Sequence, residues 1–359
     1  MPKVSVVLPT YNGQKYIKEA VESIINQTFE DWELIIVNDC STDETGKVIE
    51  EYGKKDSRIR IINNNVNKKL PASLNVGFSQ AIGEYFTWTS DDNMYLPNAL
   101  RVMTEYLDRN PQQVMVRARY SVINEDKEVL YVADEYDRDI GYIRNCVGAC
   151  FMYRKEVVKN IGSYDENKFL VEDYEYWLRI LFQYGEIGNI SDVLYLYRRH
   201  QCSLTSTRKQ DIRRMLLKLR KEYIKKIVLQ LSHRKDLLCE VYYEFKKDNM
   251  LDDAIVELIM TYVPEIKIDY GNVENKESII YGAGEYGKAA YEQYKSIIKY
   301  YADKNKYGEY VFDKKILSIN EMKKLKDQYQ ILIAASTPNI YSFLHTLIEN
   351  EIDKCTVLI

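Results

Sequence analysis

The chain places two carboxylates side by side, Asp91 and Asp92, and follows them with an amide, Asn93, at the end of the aromatic and β-branched run YFTWTS. Adjacent acids at a strand end repel each other unless something cationic holds them together. A plainer reading makes Asp92 or Asn93 the N-cap of a helix beginning near Leu96, but a cap needs a single acceptor and this stretch offers more. Hard divalent cations prefer such oxygen ligands, and Mg²⁺ or Mn²⁺ commonly takes one or two carboxylates while substrate phosphates complete its shell. The residue types therefore point to a metal-diphosphate site. No GxxxxGK[ST] sequence is present, so the diphosphate is not cradled as in a P-loop ATPase, and no GxSxG elbow occurs. Three histidines in the whole chain give little support to a histidine-centred hydrolase.

These carboxylates need a scaffold. Residues 3–8, KVSVVL, are a β-branched run halted by Pro9, and QKYIKEAVESIINQT sets Tyr16, Ile17, Ala20, Val21, Ile24 and Ile25 at helical spacing. Strand WELIIVND, helix STDETGKVIEEYGKK, strand RIRIIN, helix PASLNVGFSQAI, strand EYFTWTS and helix LPNALRVMTEYLDRN follow in turn. This alternation predicts the α/β class, with a doubly wound, mostly parallel sheet whose ligands bind beyond the carboxyl ends of the strands. Pro9, Thr10, Tyr11 and Asn12 after the first strand, Asn38, Asp39, Cys40 and Ser41 after the second, and Asp91-Asp92 after a later one are expected on a single rim.

Beyond a domain of residues 1–205, residues 206–270 turn helical and basic, and 271–359 return to a small Rossmann-like α/β pattern. The stretch RKQDIRRMLLKLRKEYIKKIVLQL puts Ile212, Met215, Leu216, Leu219, Tyr223 and Ile227 on one helical face, with nine Lys or Arg between Arg208 and Lys226. The 208–231 helix either docks by its apolar face or makes a peripheral contact with an anionic membrane surface, and the helical middle could support a homodimer. In ESIIYGAGEYGKAAYEQY, a strand leads through Gly282-Ala283-Gly284 to a helix carrying Gly287, and IKYYAD then ends on Asp303. That spacing fits a dinucleotide fingerprint, a second nucleotide site, or equally a tight strand-helix packing.

With 50 Lys and Arg against 54 Asp and Glu, the net charge of -4 provides no field that would gather nucleic acid. The six cysteines are scattered; Cys146 and Cys150 make a CxxxC with no second pair at zinc spacing, so free thiols in a reducing compartment are expected. The start MPKVSVVLPTYNG lacks a signal-peptide pattern and no run of about 18 apolar residues occurs, which predicts a cytoplasmic protein, peripheral at most to the inner face of a membrane.

Residues 1–205 resemble a family 2 glycosyltransferase of GT-A fold: VSVVLPTYNG, WELIIVNDCSTDET, NVGFSQAIGEYFTWTSDDN, VEDYEYWLRI and YRRHQCSLTS match its successive signatures in order. The resemblance implies transfer of a sugar from a nucleoside diphosphate, a UDP-sugar favoured, with Mn²⁺ or Mg²⁺ and inversion at the anomeric carbon. The acceptor it implies is a hydroxyl of a saccharide or lipid-linked saccharide in surface polysaccharide or glycoconjugate synthesis. Carried over position by position, Pro9, Thr10, Tyr11 and Asn12 fall along the nucleoside and Asp39 at the base edge. Asp91 and Asp92 fall in the metal motif, with Asp92 the direct ligand; His200 falls in the loop that closes over the diphosphate and joins Asp92 at the metal. Asp173 matches the general base and Glu172 its neighbour.

Blander readings stay open beside these. Glu172 and Asp173 also suit the first turn of a helix, where acids complement the dipole. His200 could be a loop histidine bonded to backbone, Arg179 pairs with Glu175 at i,i+4, and Trp88 and Trp177 are core or sugar platforms. The chain departs from the family pattern in reading Asn38-Asp39-Cys40-Ser41 for Asp-Asp-Gly-Ser, Thr89-Ser90 before the metal motif, and Lys68 after Asn67 where glycine is common. The last segment resembles half-Rossmann domains appended to surface-polysaccharide enzymes. The competing expectation is a non-catalytic scaffold that recruits partners through the helical and C-terminal regions.

Overall fold

Val4 to Thr10 (β1) is buried at every position, as expected of an interior parallel strand covered on both faces. In the computed structural model, which describes residues 1–133, 136–247, 252–262, 267–270, 273–335, 337–352 and 354–358, the elements that follow alternate as their periodicity dictates. Pro264 and Gly271, where changes of pattern are expected, lie outside the described residues. After β1 come α1 (Ile17–Ile25), β2 (Trp32–Asn38), α2 (Thr45–Lys55), β3 (Ile59–Asn63), α3 (Leu70–Ser79), β4 (Tyr85–Trp88), β5 (Met94–Tyr95) and α4 (Ala99–Arg109). Helix α1 buries Ile17, Ala20, Val21 and Ile24, the apolar stripe that its spacing predicts.

The chain continues through β6 (Met115–Ile123), β7 (Val129–Ala133), β8 (Phe151–Arg154), α5 (Glu156–Ile161), α6 (Glu172–Tyr184), β9 (Gly188–Arg198), α7 (Leu204–Thr207) and α8 (Lys209–Gln230). Strands β3, β2, β1 and β4 pair in parallel in that order. The sheet then goes on through β8, β6, β9 and β5, with β7 hung on β6; β8 is antiparallel to both its neighbours and β9 is parallel to β6. Pro9 does not halt β1 as expected. The Val7 carbonyl bonds Thr89 on the β4 side, and Pro9 points to that same side, where β4 has already ended, so its missing N–H breaks no ladder bond.

Contacts divide the chain into two compact units, Met1–Arg220 and Lys221–Ile359, the division falling within α8. On α8, Leu219 and Ile227 are buried and Met215, Leu216 and Tyr223 half-buried, so its apolar face is covered; its lysines and arginines are exposed except for Arg220, which is half-buried. No helix among the described residues is long and apolar enough to cross a membrane.

The second unit contains α9 (Lys235–Lys247), α10 (Asp253–Tyr262), β10 (Lys267–Tyr270), β11 (Ser278–Tyr281), α11 (Glu285–Tyr294), β12 (Ile298–Ala302), β13 (Tyr310–Val311), β14 (Lys314–Leu317), α12 (Ile319–Leu325), β15 (Gln330–Ile333), α13 (Thr337–Glu349) and β16 (Lys354–Val357). Its sheet runs β10-β16-β15-β11-β12-β14-β13, parallel except for β13. Counted from β11, that is a doubly wound sheet whose order reverses between β11 and β15.

Candidate active site

The order of the first sheet also reverses beside β1, between β2 and β4, and the predicted acids gather there. Thr10, the last residue of β1, donates its hydroxyl to Asp91 Oδ2 at 2.5 Å. Burial, and then the charge of Asp92, push the Asp91 carboxyl up to about 7, against the opposing pull of the Thr10 hydroxyl. Space for this pair is made by Gly13, where a Cβ would stand 2.2 Å from Asp91 Oδ2 and 2.7 Å from Thr10 Oγ1.

Asp92 turns toward β9. Its Oδ2 lies 2.9 Å from His200 Nε2, while its Oδ1 is buried and finds no partner among the described residues. Asn93 points elsewhere, accepting the Arg198 amide at 2.7 Å. Neither residue caps a helix, which corrects the plainer sequence reading. Met94 and Tyr95 first pair with β9 as β5, and α4 begins at Ala99 behind Asn98 without a side-chain cap.

One residue essential to this arrangement escaped the sequence reading. Arg198, 1% exposed, bonds the Asp92 carbonyl at 3.0 Å and the Glu125 carbonyl at 2.9 Å, and pairs with Glu19. Its guanidinium lies 4.5 Å from the Tyr16 ring, which in turn packs at 5.1 Å from the ring of His200. A buried cation two residues before His200 thus fixes both the Asp92 backbone and the histidine's neighbour. The only sequence signal for it is its place in YRRH.

The first two loops lock together on the same rim. Asn12, at φ 55°, accepts the Thr42 amide at 2.8 Å through Oδ1 and gives its own amide to Ser41 Oγ at 3.0 Å. Pro9 stays buried inside β1, whereas Tyr11 is 51% exposed and open to a ligand. Asp39 is buried, and its carboxylate accepts from Asn64 Nδ2 at 2.8 Å and from the Lys68 and Lys69 amides at 2.8 and 2.9 Å. Much of its acceptor capacity therefore goes to shaping residues 64–69, with one Oδ2 position left over. Cys40 takes φ 65° where the family pattern has glycine, and the strain near Lys68 falls on Lys69, at φ 73° and ψ 167°.

Glu172 and Asp173 open α6. Asp173 accepts from Asn145 Nδ2 at 2.9 Å and from the Tyr174 amide at 2.6 Å. Burial raises the Asp173 carboxyl, and these two donors oppose that rise. Glu172 is 5% exposed, its Oε2 lacks a partner among the described residues, and burial followed by the Asp173 charge pushes it up to about 8. Burial thus raises both carboxyls, and Asp173, held by Asn145, is the more exposed of the two. Nothing in the sequence marks Asn145, which reaches Asp173 from a loop 28 residues earlier.

The Tyr197 phenol is raised first by burial, against the bond to the Thr205 hydroxyl, and further by the charges of Asp92 and Asp173. The structure brings Thr10 to Asp91 and His200 to Asp92 on one rim, and sets Glu172 and Asp173 at the start of α6 with Asn145. Arg179 pairs with Glu175, Nε at 2.9 Å and an Nη at 2.8 Å, as the i,i+4 spacing predicts. Trp177 is core, and Trp88 gives its Nε1–H to the Tyr164 hydroxyl at 3.0 Å.

The glycine turn of the second unit lies apart in sequence and has its own logic. Gly282 takes φ 114° between β11 and α11, and a Cβ on Gly287 would stand 1.9 Å from the Gly282 carbonyl. Asp303, after β12, accepts the Ala283 amide at 3.0 Å and the Asn305 amide at 2.9 Å. One of the turn's amides is therefore held inside the protein. Gly284 caps α11 and meets nothing within 4 Å.

A mixed α/β sheet with carboxylates at its switch point is the architecture of GT-A glycosyltransferases, and solved members share it. The chain superposes on residues 1–349 of Staphylococcus aureus TarS in complex with UDP-GlcNAc with a TM-score of 0.54 at 19% identity, covering 73% of this chain and 79% of that one. It superposes on a mannosyltransferase of Pyrobaculum calidifontis in complex with GDP-Man and Mn²⁺ with a TM-score of 0.51 at 18% identity, covering 62% and 64%. In sequence, the model of Glycosyl transferase family 2 matches residues 5–162. A putative glycosyltransferase of Bacillus subtilis, EpsE, is 31% identical over 205 residues, 55% of this chain and 73% of that protein. The chain belongs to glycosyltransferase family 2.

Proposed function

We propose that this chain is an inverting, metal-dependent glycosyltransferase that moves a sugar from a nucleoside diphosphate, UDP favoured, to a hydroxyl of a polysaccharide or glycoconjugate acceptor. The observation that carries this reading is the buried Asp92 Oδ1 without a partner, beside Asp91 and His200. A desolvated carboxylate oxygen left unpaired is costly, and a cation is the partner that its chemistry requires. Oxygen from Asp92 and nitrogen from His200 suit Mn²⁺ or Mg²⁺. The described residues contain no cluster of three or more such ligands, so phosphate oxygens and water would complete the shell. A bound divalent cation neutralises charge on the leaving diphosphate. The Mn²⁺ in the mannosyltransferase complex and the UDP-GlcNAc in the TarS complex belong to those proteins and favour the same chemistry here.

In this reading Tyr11 and Asn12 lie along the nucleoside, and the spare Oδ2 position of Asp39 meets the base edge. The incoming hydroxyl loses its proton to Asp173 as it attacks the face of the sugar opposite the diphosphate, and a positioned base contributes about 10²–10⁴-fold. Asn145 holds that carboxylate in place. Glu172 lies beside it, its own carboxyl pushed up to about 8 by burial. The test is a thermal-shift series with UDP-, GDP-, CDP- and dTDP-sugars, each with and without Mn²⁺, on the wild type and on Asp92→Asn. One nucleotide should stabilise the wild type only with metal, by about 2.7 kcal/mol at 100 times the dissociation constant, and Asp92→Asn should abolish that gain. A metal-independent shift that survives Asp92→Asn would remove the cation from the account, and no shift with any nucleotide would favour a scaffold.

A further inference from the structure

Asn145 reaches Asp173 from the turn that precedes β8, and the protein holds that turn at three places. Cys146 gives its thiol to the Asp137 carbonyl at 3.5 Å. Arg117 on β6, 1% exposed, gives its Nε–H to the Val147 carbonyl at 3.3 Å and an Nη to Asn189 Oδ1 at 3.0 Å. Tyr120, also on β6, lies so close to Gly148 that a Cβ there would stand 2.3 Å from the ring's Cε1. Gly148 takes φ 77°, the left-handed region that glycine enters without a steric penalty. The register of β6 against β9 shifts on both sides of Arg119, and such a bulge re-aims the side chain beside it, here Tyr120. The ring of Tyr197 on β9 backs the Tyr120 ring at 6.1 Å.

The turn decides which end of the Asn145 amide meets Asp173. Oδ1 accepts the Gly148 amide at 3.4 Å and Nδ2 donates to Asp173 Oδ2 at 2.9 Å. With the side chain reversed, oxygen would face oxygen at Asp173 and the Gly148 N–H would meet an NH₂ group. The Gly148 amide therefore selects the donor end for Asp173, and the Tyr120 ring sets where Gly148 lies. Burial raises the Asp173 carboxyl while the Tyr174 amide and Asn145 oppose the rise, so a displaced Asn145 leaves it higher still. Glu172, Tyr120, Tyr164 and Tyr197 are the other titratable groups that interact with the charge of Asp173. Burial raises all three phenols, which stay neutral near pH 7, and leaves Glu172, at about 8, as the one that titrates in that range.

We propose that Tyr120 is a positioning residue for sugar transfer: its ring seats the 145–148 turn so that Asn145 presents its Nδ2–H to Asp173. The inference rests on the reading of Asp173 as the base and adds the residue that acts on it from β6. Tyr120 works through its ring, since its hydroxyl makes no hydrogen bond among the described residues.

The test is the pH dependence of kcat, read as nucleoside diphosphate release, with donor affinity measured by thermal shift with Mn²⁺. The chains compared are the wild type, Tyr120→Leu, Tyr120→Phe, Asn145→Ala and the double variant Tyr120→Leu/Asn145→Ala. Tyr120→Leu should move the acid limb up by about one pH unit, as loss of one hydrogen bond to a carboxylate does, and lower kcat about tenfold on that limb. Donor affinity should not change. Tyr120→Phe, which keeps the ring, should behave as the wild type. Asn145→Ala should match Tyr120→Leu, and the double variant should go no further than Asn145→Ala, because the two residues act in series. Glu172 is common to all five chains and cancels from the comparison. Gly148→Ala presses on the same contact from the turn; it should move the limb the same way and carries the test if Tyr120→Leu does not fold. An acid limb that stays in place in the folded variant overturns the proposal, and so do shifts that add in the double variant. A Tyr120→Phe variant as impaired as Tyr120→Leu overturns it too, because the hydroxyl would then be the acting group. Full transfer by Asp173→Asn overturns the base reading instead, whatever Tyr120→Leu does.

Discussion

Replacing Gly13 by alanine tests whether the Asp91 carboxylate is held where the site requires it. The new Cβ would stand 2.2 Å from Asp91 Oδ2 and 2.7 Å from Thr10 Oγ1. Ordinary contact is about 3.5 Å, so the carboxylate must retreat by about 1 Å. Retreat breaks the 2.5 Å bond from Thr10, a hydrogen bond to a charged group worth about 1.5–3 kcal/mol. A misplacement of about 1 Å in a catalytic constellation lowers turnover by about 10²-fold. Gly13 has no positive φ, so the substitution reports on space alone. Gly46→Ala in α2 is the control, because its nearest neighbour would be Asn38 Nδ2 at 3.7 Å, and alanine should gain about 0.5–1 kcal/mol of helix stability. The assay is nucleoside diphosphate release with the donor sugar identified by thermal shift, alongside urea denaturation. Gly13→Ala should lose about 10²-fold in kcat while unfolding about 1.5–3 kcal/mol more easily, one hydrogen bond to a charged group. Wild-type turnover and stability in Gly13→Ala would refute the claim that Asp91 is fixed by this contact.

Three further outcomes follow from the geometry. Glu172 holds its proton more tightly in the folded chain than in the unfolded one, so its contribution to stability is complete below the ordinary value of 4.5 and is lost as pH rises toward about 8. Glu172→Gln should flatten the fall in urea midpoint between about pH 4.5 and about pH 8; an unchanged slope would show that Glu172 is already ionised. Lys69→Gly should raise stability by about 1 kcal/mol, since φ 73° with ψ 167° is a region essentially reserved for glycine, and a loss of stability would mean that Lys69 is not strained. Gly287→Ala should destabilise the second unit by about 1–3 kcal/mol through its clash with the Gly282 carbonyl, and limited proteolysis of residues 221–359 would reveal it.

The parallel half of the first sheet is legible in the sequence because buried interior strands such as VSVVLPT and WELIIVN are continuous apolar runs, and the helices between them carry clean stripes. The Asp91-Asp92 pair is legible for the same reason: a strand that ends on acids announces the rim. The second half of the sheet is not, because β5 is two residues long and is paired across 100 residues to β9, and no local periodicity records that. The cap alternative for Asp92 or Asn93 stayed open in the sequence because β5 leaves no local signal there. Arg198 and Asn145 stay hidden because their roles depend on tertiary contacts to Asp92 and Asp173 that no spacing encodes. Asp39 is correctly placed on the rim, yet its three bonds to residues 64–69 show a side chain that shapes a loop as much as it faces a ligand.

The central claim is that Asp173 takes the proton of the incoming hydroxyl while the Asp92 side of the site holds the leaving diphosphate. Asp173→Asn preserves size and removes the base, so donor affinity and catalysis separate cleanly. The decisive measurement is the dissociation constant of the nucleotide sugar with Mn²⁺ together with the rate of sugar transfer, on the wild type and on Asp173→Asn. Unchanged donor affinity with transfer reduced by about 10²–10⁴-fold is the predicted result. Full transfer by Asp173→Asn would contradict it.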